Sequence, residues 1–124
     1  MTVAKALLRA EKILPGVAAP EGETDLRWQR IIDIGTYIES EPDAIWAFVE
    51  RWGIHEDEDL RAAIATCLLE HLLEHHFATV FPRVERLATS NALFADTFVR
   101  CYRLGQAELP ANAVRFDALV ETVS

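Results

Sequence analysis

The densest run of reactive side chains in the chain is Cys67-Leu-Leu-Glu70-His71-Leu-Leu-Glu74-His75-His76. Cys67, His71 and His75 follow one another at intervals of four residues. At about 100° per residue on an α-helix, they share one narrow stripe. Two histidines one turn apart can chelate zinc, and thiolate and carboxylate are also zinc ligands. Cys67, His71, Glu74 and His75 are therefore the candidate metal ligands. The competing reading has His71 and His75 projecting between Leu60, Ile64 and Leu68, as partly buried packing histidines bonded to a carbonyl or a carboxylate.

The chemistry depends on what holds that stripe. Apolar residues recur at helical spacing and never in sustained alternation, so the chain reads as all-α. Thr2 is placed to cap a helix over 3–14, and Pro15-Gly16 stops it. Thr24 is placed to cap a second helix, to about residue 39. Ser40 with Asp43 has capping-box spacing and would open a third, ending at Gly53. The histidine-bearing helix runs from about 58 to 76, with acidic residues in its first turn suiting the helix dipole. A fifth, over 78–88, contains Pro82, which should bend it or mark its start. Ser90 or Asn91 caps a sixth, to about 104, and a last helix covers 111–123. About seven helices joined by short connections make antiparallel neighbours.

Two tripeptides recur along this array. Asp25-Leu26-Arg27 returns as Asp59-Leu60-Arg61, 34 residues on, and Val49-Glu50-Arg51 returns as Val84-Glu85-Arg86, 35 residues on. A period of that size marks stacked helical hairpins, each covering an apolar face its neighbour cannot bury alone. Asp59-Leu60-Arg61-Ala62-Ala63, followed by Leu68 and Leu72, resembles the opening of the second helix of a HEAT repeat. Asp25-Leu26-Arg27, followed by Ile31, Ile34 and Ile38, is a looser copy, and Asn91-Ala92-Leu93-Phe94 lacks the arginine. The resemblance implies one α-solenoid domain over 1–124, with units at about 3–39, 43–76 and 78–105 and a terminal helix at 111–123. It also implies that Pro82 kinks a first helix, and that equivalent turns line one edge. Arg27 and Arg61, at equivalent positions, would pair with acids of a neighbouring unit.

His71-Leu72-Leu73-Glu74-His75 also matches the H-x-x-E-H pattern of inverzincin metalloproteases, in which both histidines bind zinc and the glutamate is the general base. That chemistry needs a further acidic ligand on another helix and a peptide cleft, for which a short helical repeat leaves little room.

Charge narrows the remaining choices. The formal net charge is −8, and residues 21–60 hold 12 Asp or Glu against three Arg, whereas residues 61–90 are balanced. That distribution argues against a nucleic-acid coat and against a basic membrane-surface helix. Cys67 and Cys101 fall in apolar helical patterns, as free thiols of a reducing compartment do. The N-terminal apolar run is too short and too charged for a signal peptide, so a cytoplasmic setting is expected. Glu21, Glu23 and Asp25 lie in one connection, and Glu56, Asp57, Glu58 and Asp59 in its equivalent. Together they would form an acidic ridge able to steer a Lys/Arg-rich protein surface. Trp46, at the rim of its helix face, would be an aromatic anchor beside it. The expectation is a non-enzymatic protein-interaction module with no cofactor, binding a basic protein partner as a scaffold or an acidic inhibitor of the immunity type. The alternative is a zinc-binding helical protein with hydrolase activity at Cys67, His71, Glu74 and His75.

Overall fold

The computed structural model describes residues 1–124, and every regular element in it is helical. In chain order these are α1 (Val3–Glu11), α2 (Leu26–Gly35), α3 (Pro42–Trp52), α4 (Glu58–Ile64), a π turn (Ala65–Leu69), α5 (Glu70–Ser90), α6 (Ala92–Val99), a 3-10 turn (Gly105–Glu108) and α7 (Pro110–Val123). No helix is long and apolar enough to cross a membrane.

Local chemistry accounts for most of the boundaries. Thr2 accepts from the Lys5 N–H at 3.2 Å, Asp57 from that of Leu60 at 3.2 Å, and Asn91 from that of Phe94 at 3.0 Å. Each satisfies an N–H that the first helical turn leaves unpaired. Two expected caps are replaced. Asp25, not Thr24, caps α2, accepting from the Arg27 N–H at 2.9 Å. Ser40 does not cap α3; the N-cap is Glu41, without a side-chain bond, and Pro42 starts the helix. A proline at the first helical position loses no bond and has its φ already set.

From Glu58 to Ser90 the chain forms one rod along the centre of the molecule, made of α4, the π turn and α5. Helix α1 packs on α2, α2 on α4 and the π turn, and α3 on α4 and α5. Helices α6 and α7 cover the distal part of α5. Leu60, Ile64, Leu68, Leu69, Leu72, Phe77, Phe81, Phe94 and Phe98 lie at the fully buried centre. The rod is apolar on most sides because other helices surround it.

The rod is broken at His76, where φ is −137° and ψ is 42°, and not at Pro82, which lies inside α5. The break leaves backbone groups unpaired, and one side chain takes them up. Gln106 accepts from the Phe77 N–H at 2.9 Å and donates to the His75 carbonyl at 2.8 Å. Gly105, at φ +50°, brings Gln106 there, and a Cβ on it would lie 2.6 Å from Cγ of Glu74. Stacked Phe77 and Phe81 (centroids 4.6 Å apart) and Phe98 then fill the bend. Replacing Phe98 by Ala should cost about 3–5 kcal/mol by emptying that space. Gln106→Ala should cost about 1 kcal/mol and speed amide exchange at Phe77. Urea denaturation and hydrogen exchange would read the two; an unchanged Phe77 exchange rate would count against the bridging role.

Candidate functional site

The expected acidic ridge exists as a meeting of connections, but its carboxylates turn inward on two arginines. Arg27 is only 4% exposed. Its guanidinium donates to Asp59 Oδ2 at 2.6 Å, to Asp57 Oδ2 at 3.1 Å and to the Pro15 carbonyl at 2.8 Å. Asp25 Oδ1 lies 3.5 Å from its Nε, and the Trp28 indole donates to Asp59 Oδ2 at 3.1 Å. Arg61 makes a similar set of bonds from α4. It donates to the His55 and Glu56 carbonyls at 2.9 and 3.0 Å, and twice to Asp96 Oδ2, at 3.1 and 2.9 Å. Each arginine thus ties the connection before its own helix to a carboxylate of the next segment. The planar fork of guanidinium suits this, as an ammonium would not.

These bonds set the protonation behaviour of the ridge. Burial pushes the Asp25 carboxyl up, but the N–H groups of Ala19 and Arg27 and the Arg27 guanidinium outweigh it and hold it below the ordinary range. Burial also opposes ionisation of Asp57 and Asp96. The Leu60 N–H with Arg27, and Arg100 with Arg61, prevail and hold both low. Burial favours the neutral form of Arg27, yet Asp57 and Asp25 raise its pKa. For Arg100, hydrogen bonds to Asp96 and Glu58 come first and hold its pKa high.

The candidate partner residues therefore divide. Asp25, Asp57 and Asp59 hold Arg27, and Glu58 pairs with Arg100 at 2.7 Å. Three carboxylates around the one Arg27 guanidinium still leave a local excess of negative charge. Glu21, Glu23 and Glu56 are exposed and make no side-chain hydrogen bond or ion pair. Trp46 is not an exposed anchor: it is 8% exposed and meets the Phe94 ring edge-on, with centroids 5.9 Å apart. Its indole sits at the margin of the helix wheel, but α6 closes over that margin.

The histidine segment also differs from its expected geometry. The π turn at 65–69 is wider than an α turn, so four-residue spacing across it no longer keeps strict register. His71 Nδ1 lies 2.7 Å from Glu74 Oε1, and His75 Nε2 lies 3.5 Å from the same oxygen. His75 Nδ1 is 3.5 Å from Glu39, contributed by the turn after α2. Cys67 is half-buried, and burial, with the nearby Glu70 charge, pushes its thiol up despite a bond from Thr66. No three His, Cys, Asp or Glu side chains converge on a point able to hold a metal ion. The four candidate ligands thus do not form a preassembled centre. The two histidines are partly buried and lie against the Glu74 carboxylate, as the competing reading expects, and they line an open groove against α2. His76 turns away, its Nε2 2.9 Å from the Ile38 carbonyl.

Several positions that organise the site carried no readable signal. Glu70 is 7% exposed and accepts from the Tyr102 N–H at 2.9 Å, tying the end of α6 to the rod. Thr97 is fully buried and donates to the Gly53 carbonyl at 2.6 Å. Both bonds span more than 30 residues, beyond what local spacing reveals.

Replacing Arg27 by Met should destabilise the fold by about 1.5–3 kcal/mol, since charged hydrogen bonds are lost and three carboxylates are left facing one another. Arg27→Lys should recover only part of this. The depressed carboxyls work in a definite direction. Their stabilisation is full above the unfolded value near 3.8 and is lost as pH falls through their lower folded values. Urea midpoints measured between about pH 5 and pH 2 should fall steeply for the native chain and less steeply for Arg27→Met; parallel curves would overturn the assignment. Comparison with protein-family models, with curated proteins and with solved structures finds no match for the chain.

Proposed function

We propose that the chain is a short array of helical hairpins, similar to HEAT repeats, that works by binding a protein with a basic surface. The recurrent role of Arg27 and Arg61 supports the stacking. Each reaches back to a carbonyl of its own connection and forward to the next carboxylate, Asp59 or Asp96. The residues lie 34 positions apart, as a repeat requires.

The observation that carries the binding reading is the charge left over at the joined connections. Asp25, Asp57 and Asp59 are held rigid around one cation, and Glu21, Glu23 and Glu56 stand free in solvent. Fixed negative charge on a rigid edge attracts a positive surface without the ordering cost of a flexible acidic tail. A net charge of −8 extends the attraction to the approach of the partner. An inhibitor or immunity-type protein that blocks a basic target is the sharper form of this reading, and a scaffold is the broader one. Charge is common to both.

The partner recovered by cross-linking in cells, then purified, gives the test. Its affinity for this chain should fall at least tenfold between about 0.1 M and about 1 M salt, as the Debye length shrinks from ~10 Å to ~3 Å. Reversing Glu21, Glu23 and Glu56 to Lys should slow association more than it speeds dissociation. An affinity indifferent to salt, or an association rate untouched by the triple reversal, would overturn the electrostatic reading.

A further inference from the structure

The acidic edge lies at the starts of α2 and α4. The groove lies toward the far end of α2 and along the π turn, and it is the more selective feature. It has a volume of about 460 Å³. Gly35 makes it deep at its base: a Cβ there would sit 3.3 Å from the Cys67 carbonyl oxygen, so α2 can lie close against the π turn. One wall is aliphatic, formed by Ile38 and by Ile32, which is 47% exposed. The mouth carries Glu39, His71 and His75, and neither Lys nor Arg lines any part of it.

Three carboxylates stand around this groove against two imidazoles, which carry charge only when protonated. Glu39 is 79% exposed along its side chain and touches only His75, at 3.5 Å. Glu74 stands behind both imidazoles, 2.7 Å from His71 and 3.5 Å from His75. Buried Glu70 lies 4.0 Å from His71. The carbonyl end of α2 closes at Gly35 and Thr36, both of which line the groove. That end carries the partial negative charge of the helix dipole. The closest basic residue along α2, Arg30, is turned toward Asp33 at 3.9 Å.

An aliphatic wall leading to a rim of carboxylates matches a long side chain with a methylene stem and a positive head. We propose that this groove receives a lysine or arginine side chain presented by the basic protein partner. The stem would lie along Ile32 and Ile38, and the head would reach Glu39 and the imidazoles. This assignment rests on the protein-binding reading above and adds where on the molecule the partner's charge is read individually. The edge would steer the approach, and the groove would select.

A short Gly/Ser peptide with two arginines, and the same peptide with citrulline in their place, provide the probes. In a nitrogen-15 NMR titration the arginine peptide should shift the amides of Ile32, Gly35, Thr36, Cys67, His71 and His75 in a saturable way. The citrulline peptide, which keeps shape and loses charge, should leave them still. Glu39→Gln should weaken binding about two- to fivefold, as for one exposed charge pair. Ile32→Ser, also at the surface, should weaken it without altering the charge. Equal shifts by both peptides would overturn the groove assignment. Shifts confined to Glu21, Glu23 and Glu56 would overturn it and leave the basic-partner reading standing. No shift at millimolar peptide would overturn it as well, and the salt titration of the complex would then decide the broader reading alone.

Discussion

The guanidinium of Arg27 is the constraint on which the first half of the molecule depends. A cation 4% exposed is costly to bury, and it persists there only because carboxylates and a carbonyl surround it. Those partners come from two separate stretches: the 15–25 connection, and the N-cap and first turn of α4. Meeting the needs of one side chain therefore fixes how α2 lies on α4. Arg61 extends the device to α6 through Asp96, with Arg100 sharing the same carboxylate and reaching Glu58. The hydrophobic effect supplies most of the cohesion but has no direction. The directional bonds select one arrangement among the many that would bury the same leucines.

The same bonds shape what the surface can offer. An acidic loop left to itself is mobile and strongly hydrated. Here Asp25, Asp57 and Asp59 are held by the cation they enclose. Part of the net charge of −8 is consequently spent on folding. The free remainder includes Glu21, Glu23 and Glu56 beside these connections, and Glu41, Glu50, Glu108 and Glu121 elsewhere on the surface. Charge counted along the chain overstates what a partner would meet.

Much of the architecture was legible because it is locally written. The absence of strands follows from spacing alone. Thr2 and Asn91 were readable as caps, and Arg27 and Arg61 were expected to pair with acids of other segments, as they do with Asp59 and Asp96. The errors share a different cause. The π turn has no composition signature, and without it the stripe of Cys67, His71 and His75 looked like a ligand set. The bend falls at His76, at the boundary expected between the helices over 58–76 and 78–88, and Gln106, 30 residues later in the chain, accepts the Phe77 N–H there. Pro82, expected to bend the second of these or mark its start, lies inside α5 instead. Trp46 looked exposed on its own helix and is covered by Phe94, which only the tertiary arrangement brings near. Sequence spacing reported what each helix is, and was silent on which helix would lie across it.

The π turn also bears on how this chain could have arisen and how it can vary. A π turn is an α-helix carrying one residue too many, accommodated without breaking the rod. Deleting one residue of 65–69 would restore regular α winding with α5 left in place, whereas adding one more would rotate everything beyond it by about 100°. Glu70 would leave Tyr102, the imidazoles would swing from α2, and the aromatic bend would lose its fit to α6. Ala65, Leu68 and Leu69 are fully buried there, so neither side-chain size nor added length can drift freely. A lineage of such proteins should not lengthen the spacing between Arg61 and Glu70 while the surface of the same helix diverges.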